Sequence, residues 1–218
     1  MATYQPATLG SLEQLRAGRL PRRIVQLVIG LVLYGFTMAL MVRADLGLDP
    51  WDVFHQGAAE HLPLTFGQVV ILVGALVLLL WIPLRQVPGL GTVLNVVIIG
   101  LAADAGLAVV ERPDELWLRV AYLVASVVGN GLAGALYIGA HLGPGPRDGL
   151  WLGLVCRTGH SVRILRTAIE VTVLVVGFIL GGTVGIGTVL YAVAIGPTVQ
   201  FFLPLTHARM APPDRTAG

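Results

Sequence analysis

The chain has 218 residues, of which 56% are apolar and only 12% are charged, and its formal net charge is +2. Its mean hydropathy is +0.82. A soluble protein of this size could not bury so much apolar surface in one core, so the composition excludes an ordinary cytosolic enzyme, a disordered protein and a nucleic-acid-binding protein. The single cysteine, Cys156, excludes an intrachain disulfide and a metal site built from several cysteines. The composition predicts a membrane protein.

The apolar runs, taken in chain order, are long enough to cross a bilayer, which requires about 20 residues. The first four predicted spans cover residues 24–42, 62–84, 91–110 and 120–140. A further uncharged run covers 171–206, and one helix of that length would measure about 54 Å, against a hydrocarbon core of about 30 Å. We expect it to break within the glycine-rich segment 181–187, giving spans near 164–182 and 187–205. The predicted fold class is an all-α, polytopic transmembrane helix bundle with six spans, or five if one is only partly inserted.

The distribution of arginine predicts the orientation of these spans. The first apolar run is span-length and lacks a small-residue cleavage site at its end, so we expect it to act as an anchor. With a cytoplasmic N-terminus, alternating spans put eleven arginines, including Arg23 and Arg147, on the inner side and only Arg43, Arg112 and Arg119 on the outer side. This excess predicts a multi-pass protein of the bacterial plasma membrane with both termini in the cytoplasm. Polar tails at 1–20 and 208–218 are predicted to be disordered.

The most informative feature is an internal repeat with an offset of 96 residues. Residues 24–100 and 120–196 share 23 identities without a gap, whereas chance predicts about eight. The matches include the pattern Leu-Gly-x-x-Pro-x-Asp at 46–52 and 142–148. Three spans per copy is an odd number, so the second copy is predicted to be inverted, as in many secondary transporters. The predicted organisation is an Arg-rich cytoplasmic tail over 1–23, three-span repeats over 24–115 and 116–206, and a cytoplasmic tail over 207–218.

The sequence of each repeat also predicts a short helix between its first two spans. Asp49, Pro50 and Asp52 occupy predicted N-cap, N1 and N3 positions, and Gly145, Pro146 and Asp148 occupy the same positions in the second copy. The helices that follow are too short to span a bilayer, so they either re-enter the membrane or lie in its interface. Asp52 and Asp148 either cap these helices or face a substrate near the membrane midplane.

Charged residues inside spans are candidates for a functional site. Asp104 lies in the outer third of the third span, where Arg43 could pair with it, and Glu170 in the fifth span has Arg166 one turn before it. Polar residues in the spans either line a pathway or form bonds between helices. The substrate- or ion-pathway candidates are Arg43, Asp52, Asn95, Asp104, Asp148 and Glu170.

Two functions remain open at this point. The repeat favours a permease or transporter of a small solute, and the alternative is a membrane accessory or scaffold protein that supports assembly or export by another complex. The expected partners are the lipid bilayer, a small solute, and either a second copy or a membrane-complex partner, without nucleic acid. The sequence has no Walker A loop, Rossmann fingerprint or metal-ligand spacing of histidines. We therefore predict no catalytic residue, no cofactor and no metal.

Specific motifs resemble a known family. The segment 33–57, which contains Leu-Gly-Leu-Asp-Pro-Trp-Asp, resembles the bacterial YczE membrane proteins of the broader YczE/YyaS/YitT family. The likeness continues through Trp-Ile-Pro-Leu-Arg at 81–85 and Gly-Leu-Gly-Thr-Val-Leu-Asn at 89–95 to Asp104, and it covers nearly everything except the tails. This resemblance implies a multi-pass plasma-membrane protein and supplies no substrate, reaction or catalytic residue.

Overall fold

A computed structural model describes residues 14–15 and 18–207. The tails predicted to be disordered fall mostly outside this range, but Gln14 and Leu15 of the first tail are helical, and a long helix begins at Leu20, its last residue. Residues 18–207 form eight α-helices and no strand. The helices are α1 (Leu20–Ala44), α2 (Pro50–Ala59), α3 (Phe66–Leu84), α4 (Leu90–Val109), α5 (Leu116–Gly139), α6 (Pro146–Thr158), α7 (Val162–Ile179) and α8 (Ile186–Thr206).

Five of these helices, α1, α3, α4, α5 and α8, are long and apolar enough to cross a membrane. The predicted fifth span corresponds to α7, which has 18 residues but carries Arg163, Arg166 and Glu170. The described chain therefore has five candidate spans rather than the six predicted. The predicted break in the long uncharged run is confirmed, because α7 ends at Ile179 and α8 begins at Ile186.

The second span begins later than the predicted residue 62. The apolar residues before Phe66 are not helical, because Thr65 is the N-cap of α3 and forms a capping box with Gln68. The Thr65 side chain accepts from the Gln68 N–H, and the Gln68 side chain accepts from the Thr65 N–H. Hydropathy alone does not register this boundary, since the residues before the cap are as apolar as those after it.

The two halves, α1–α4 and α5–α8, have the same order of long, short, long and long helices. We call residues that are 96 positions apart equivalent. Arg23 and Arg119 are equivalent: Nε of Arg23 donates to the Ala140 carbonyl at the end of α5, and Nε of Arg119 donates to the Ala44 carbonyl at the end of α1, both at 2.8 Å. Each helix thus begins where the other ends, so α1 and α5 are antiparallel. Reciprocal contacts of this kind are typical of a two-fold relation.

The loops that precede the short helices repeat this reciprocity. The N–H of Gly91 donates to the Leu142 carbonyl (2.6 Å), and the N–H of the equivalent Gly187 donates to the equivalent Leu46 carbonyl (2.7 Å). Gly47 and its equivalent Gly143 have φ angles of +109° and +119°, which favour glycine. The sequence repeat is therefore also a repeat of backbone conformation and of contacts between the halves.

The short helices lie inside the bundle and not along its surface. α2 packs against α3 and α7, and α6 packs against α3, α4 and α7. Trp51 and Leu150, in the first turns of α2 and α6, form a buried cluster with Val77 of α3, and Val73 and Ile169 from the middle of α3 and α7 pack against it. The first turn of α6 also contacts Trp81, near the carboxyl-terminal end of α3, so the starts of both short helices are enclosed by the longer helices.

Candidate functional site

The amino-terminal ends of the two short helices meet within the bundle. Asp49 is the N-cap of α2, and its Oδ1 accepts from the backbone N–H groups of Trp51 (3.0 Å) and Asp52 (3.3 Å). Arg147 of α6 brings its guanidinium nitrogens to 3.8 Å from Oδ1 of Asp49 and 3.7 Å from Oδ1 of Asp52. Its guanidinium carbon lies 5.0 Å from the centre of the Trp51 ring, within cation–π range. One cation from the second half therefore faces two carboxyl groups from the first.

Asp52 also forms a buried pair with His55. Nδ1 of His55 lies 3.1 Å from Oδ1 of Asp52, and the two side chains are 2% and 0% exposed. Burial lowers the pKa of His55 well below its ordinary value, and Arg147 adds to this effect, so a neutral His55 can donate to Asp52. Oδ2 of Asp52 has no hydrogen-bond partner among the residues that the structure describes.

Burial also affects the N-cap carboxyl group. It raises the pKa of Asp49 to about 8, with the neighbouring Asp52 carboxylate adding to the rise and Arg147 opposing it. Because two buried carboxyl groups face one guanidinium group, the cluster either holds a proton or carries an uncompensated negative charge.

Two cavities flank this cluster. The larger has a volume of about 310 Å³ and is lined by residues of α5, α7 and α8. The smaller has a volume of about 90 Å³ and is lined by residues of α3 and α4. Their linings correspond through the repeat: Asn95 and Gly74 of the smaller cavity are equivalent to Tyr191 and Glu170 of the larger one. The residues that line both cavities are Tyr34, Trp51, Tyr137, Arg147 and Asp148.

The unequal volumes follow from a difference in helix packing. α3 packs against α4, whereas the equivalent helices α7 and α8 have little or no contact with each other. A Cβ atom on Gly74 of α3 would lie 3.6 Å from Cβ of Val96 on α4, so these two helices approach closely around the smaller cavity. The larger cavity occupies the equivalent space, where α7 and α8 are apart.

Asp148 faces both cavities with a single polar partner of its own. Its Oδ2 accepts a hydrogen bond from the Tyr137 hydroxyl (2.8 Å), and it belongs to none of the ion pairs among the described residues. A Cβ atom on Gly145 would lie 3.3 Å from Oδ2 of Asp148 and 3.6 Å from Nδ2 of Asn95. These polar groups therefore surround a position that, in the other half, holds the side chain of Asp49.

A second polar network lies beside the larger cavity. The Tyr191 hydroxyl donates to Oδ1 of Asn130 (3.0 Å), and Nδ2 of Asn130 donates to the Thr37 hydroxyl (3.2 Å). Arg166 and Glu170, which line the same cavity, form the i,i+4 ion pair expected from their spacing, with Nε 2.8 Å from Oε1. These contacts connect α1, α5 and α8.

Four of the six predicted pathway residues lie at or beside the cavities. Asp148 and Glu170 line the larger cavity, Asn95 lines the smaller one, and Asp52 is in the adjoining cluster. Asp49 rather than Asp52 accepts from the first amides of α2. The carboxylate of Asp148 likewise contacts a tyrosine hydroxyl instead of a helix-end amide. The capping role considered for Asp52 and Asp148 is therefore wrong.

Arg43 and Asp104 lie elsewhere and do not form the expected ion pair. Arg43 donates to the Leu107 carbonyl, whereas Asp104 accepts from the Thr65 hydroxyl and from the N–H of Gly67 (2.7 Å). Asp104 thus binds the amino-terminal end of α3, where a carboxylate is favoured by the helix dipole.

The sequence reasoning missed Arg147 as a site residue, because it was counted only among the charges that set orientation. It also missed Arg23, which is fully buried and donates to the Ala140 and His141 carbonyls. The sequence repeat contained a signal for Arg23. At the 96-residue offset Arg23 aligns with Arg119, one position before the aligned segment 24–100 begins.

Comparisons with known proteins show the family of the chain. A family model described as a family of unknown function, DUF6198, matches residues 21–204. An uncharacterized protein of Haemophilus influenzae is 39% identical over 177 residues, which cover 81% of each chain. An uncharacterized membrane protein of Bacillus subtilis, YczE, is 33% identical over 177 residues, which cover 80% of this chain and 82% of the relative. No solved structure matches the chain. The chain therefore belongs to the DUF6198 family of YczE-like, multi-pass membrane proteins, as its motifs predicted.

Proposed function

We propose that this protein is a small-solute permease of the bacterial plasma membrane, and not an enzyme, built from two inverted three-span repeats. The observation that carries the proposal is the meeting of two short helices from opposite halves, amino-terminal end to amino-terminal end, between two cavities that correspond through the repeat. Broken or short helices whose ends meet at mid-depth are typical of the substrate sites of transporters with inverted repeats.

The antiparallel arrangement of the equivalent helices α1 and α5 supports the inverted orientation. In the proposed topology α7 is the sixth span. Its charged residues are Arg166 and Glu170, which pair with each other and line the cavity, and Arg163, which is in its first turn. The excess of arginine on one side then gives both termini a cytoplasmic location.

The unequal cavities support alternating access. In one state α3 and α4 are together while α7 and α8 are apart, as described above. Because the halves are equivalent, a second state in which α7 and α8 come together while α3 and α4 separate has similar contacts. Exchange between these two states would open the five residues that line both cavities first to one cavity and then to the other.

Two engineered cysteine pairs test this exchange, in a Cys156→Ser background. Gly74→Cys with Val96→Cys joins α3 to α4, where the Cβ atoms are 3.6 Å apart, a distance suited to a disulfide. Glu170→Cys with Ala192→Cys is the equivalent pair on α7 and α8. We expect the first pair to crosslink readily in liposomes and the second pair to crosslink more slowly, through the second state.

Pre-forming the first disulfide supplies the matched control for this test, because it holds α3 and α4 together. If α7 and α8 still crosslink at the same rate in that background, the two movements are not coupled. If they never crosslink under conditions that complete the first reaction, the proposed exchange is wrong and a non-transporting accessory or scaffold role is favoured.

Sided labelling tests the inverted orientation separately. Cys156 and Glu60 are equivalent and both are exposed, at the ends of α6 and α2. A membrane-impermeant maleimide should label the native Cys156 only from the cytoplasmic side. Glu60→Cys in the Cys156→Ser background should be labelled only from outside. Labelling of both from one side would contradict inverted repeats.

A further inference from the structure

The larger cavity contains more negative charge than its cations neutralise. Arg166 is paired with Glu170, and Arg147 faces both Asp49 and Asp52. Asp148 lines the cavity and has a tyrosine hydroxyl in place of a cation as its partner. An uncompensated carboxylate within a membrane protein is costly unless a cation or a proton joins it.

The charge cluster beside the cavity offers no spare cation for Asp148. Asp52 is fully buried, and its Oδ2 has no hydrogen-bond partner among the described residues. Asp52 already shares Arg147 with Asp49, so this guanidinium group cannot also neutralise Asp148. Asp148 is therefore left without an ion pair beside the cavity.

The lining of the larger cavity is rich in aromatic rings. It includes three tyrosines and two tryptophans: Tyr34, Tyr137, Tyr191, Trp51 and Trp151. The rings of Tyr34 and Tyr137 are in an edge-to-face arrangement with centroids 6.3 Å apart. Aromatic faces attract cations through their quadrupole, and the attraction is stronger where water is excluded.

We propose that the larger cavity binds a small organic cation, with Asp148 as its counter-ion and the surrounding tyrosine and tryptophan rings as its walls. This inference rests on the proposed permease function, since it names the class of solute that would be carried. A volume of about 310 Å³ is suited to a small molecule. An anion would meet the Asp148 carboxylate, and a metal ion would require several ligands, whereas no group of three His, Cys, Asp or Glu residues that could hold one occurs in the described part of the chain.

Equilibrium dialysis of the purified full-length protein with radiolabelled tetraethylammonium tests the inference. We expect saturable binding with a Kd of about 1 mM or below. Choline, its neutral carbon analogue dimethylbutanol and the anionic analogue dimethylbutanoate share a similar shape, so they report on charge alone. Choline should compete with the probe, and the neutral and anionic analogues should compete at least about tenfold more weakly.

Substitutions then identify the counter-ion. Asp148→Asn should weaken tetraethylammonium binding by about 30-fold, since it removes the charge but leaves an acceptor for Tyr137. Asp148→Glu should recover part of the affinity. Asp114→Asn removes one charge from an exposed loop and is the matched control, with unchanged binding expected. Trp151→Leu gives an independent measurement, because it should weaken cation binding several-fold without removing any charge.

Three results would overturn the inference: no saturable binding of any tetraalkylammonium ion up to about 10 mM, equal competition by the three charge analogues, or binding to Asp148→Asn within about threefold of the native protein. Failure of the permease proposal can be distinguished from failure of the cation site. If cations bind but the α7–α8 pair never crosslinks, the cation site stands and transport is wrong. If the crosslinks show exchange but no cation binds, transport stands and the cation site is wrong.

Discussion

The contact between Trp81 and Gly149 gives a test of how α6 packs against α3. A Cβ atom on Gly149 would lie 1.9 Å from Cζ2 of Trp81. The indole cannot withdraw easily, because Trp81 is 2% exposed and its Nε1 donates to the Pro146 carbonyl (3.0 Å). At the equivalent position in the other half there is no such side chain, because a Cβ atom on Gly177 would instead meet the backbone of Val53 and Phe54.

These contacts determine the expected energies. Gly149→Val forces atoms into the space of a fixed ring and should reduce the free energy of unfolding by about 3 kcal/mol. Trp81→Gly should cost about 5 kcal/mol, from a lost buried side chain and a glycine inside a helix. Independent effects would add to about 8 kcal/mol, but in the double variant the valine side chain occupies space that the indole has left. We therefore expect it to cost about 5 kcal/mol, a coupling of about 3 kcal/mol.

The assay is thermal unfolding of the purified protein in detergent. A coupling of about 3 kcal/mol corresponds to a Tm about 6–12 °C higher than additivity predicts. Gly196→Val is the control, because a Cβ atom there would meet nothing within 4 Å, so its Tm should change by less than about 2 °C. A double variant whose Tm loss equals the sum of the single losses would refute the reasoning, as would a tolerated Gly149→Val.

Three further predictions concern buried charges. Arg23→Met should lower the free energy of unfolding by about 3–5 kcal/mol, since it leaves buried carbonyls unpaired. The control Arg22→Met replaces an exposed neighbour and should change the free energy of unfolding by less than about 0.5 kcal/mol, and Tm measurements of both variants check these values. Asp104→Asn should lower stability by about 1 kcal/mol and leave tetraethylammonium binding unchanged in dialysis, because Asp104 binds the end of α3. Burial raises the pKa of Asp49 from 3.8 to about 8, so the folded state binds the extra proton, and this contribution to stability should be lost as pH rises from about 4 to about 8. Because the lowered pKa of His55 contributes with the opposite sign, the measurement is the Tm of the native protein minus that of Asp49→Asn, which should fall over this range.

Much of the helix layout was predictable from residue order. The break between α7 and α8 follows from the glycine-rich segment, because an uncharged run of that length exceeds the bilayer. The Arg166–Glu170 pair follows from the i,i+4 spacing on one helix. Both are local features, for which the helical period alone decides the neighbours. The start of α3 was mislocated because the capping box of Thr65 and Gln68 is not a hydropathy signal.

The charge partners of the site were not predictable in the same way. Arg147 and Asp49 are brought together because the halves pack crosswise, so that each short helix lies against a long helix of the opposite half. A predicted position on the same side of the membrane suggested Arg43 for Asp104, but the start of α3 offered Asp104 a hydroxyl and an amide.

The composition of 56% apolar and 12% charged residues, together with the 96-residue repeat, determined by itself that the chain is a membrane protein with two similar halves. Hydropathy and periodicity are properties of each segment, so they can be determined from the sequence without knowing the fold. Only the tertiary structure decided which of the few charges are neutralised and which are not. Arg23 and Arg119 bind helix-end carbonyls, Arg147 is shared by two carboxyl groups, and Asp148 faces a cavity. The physical reason is that electrostatic energy in a low-dielectric interior depends on distances of a few ångströms between groups that the sequence separates by about one hundred residues.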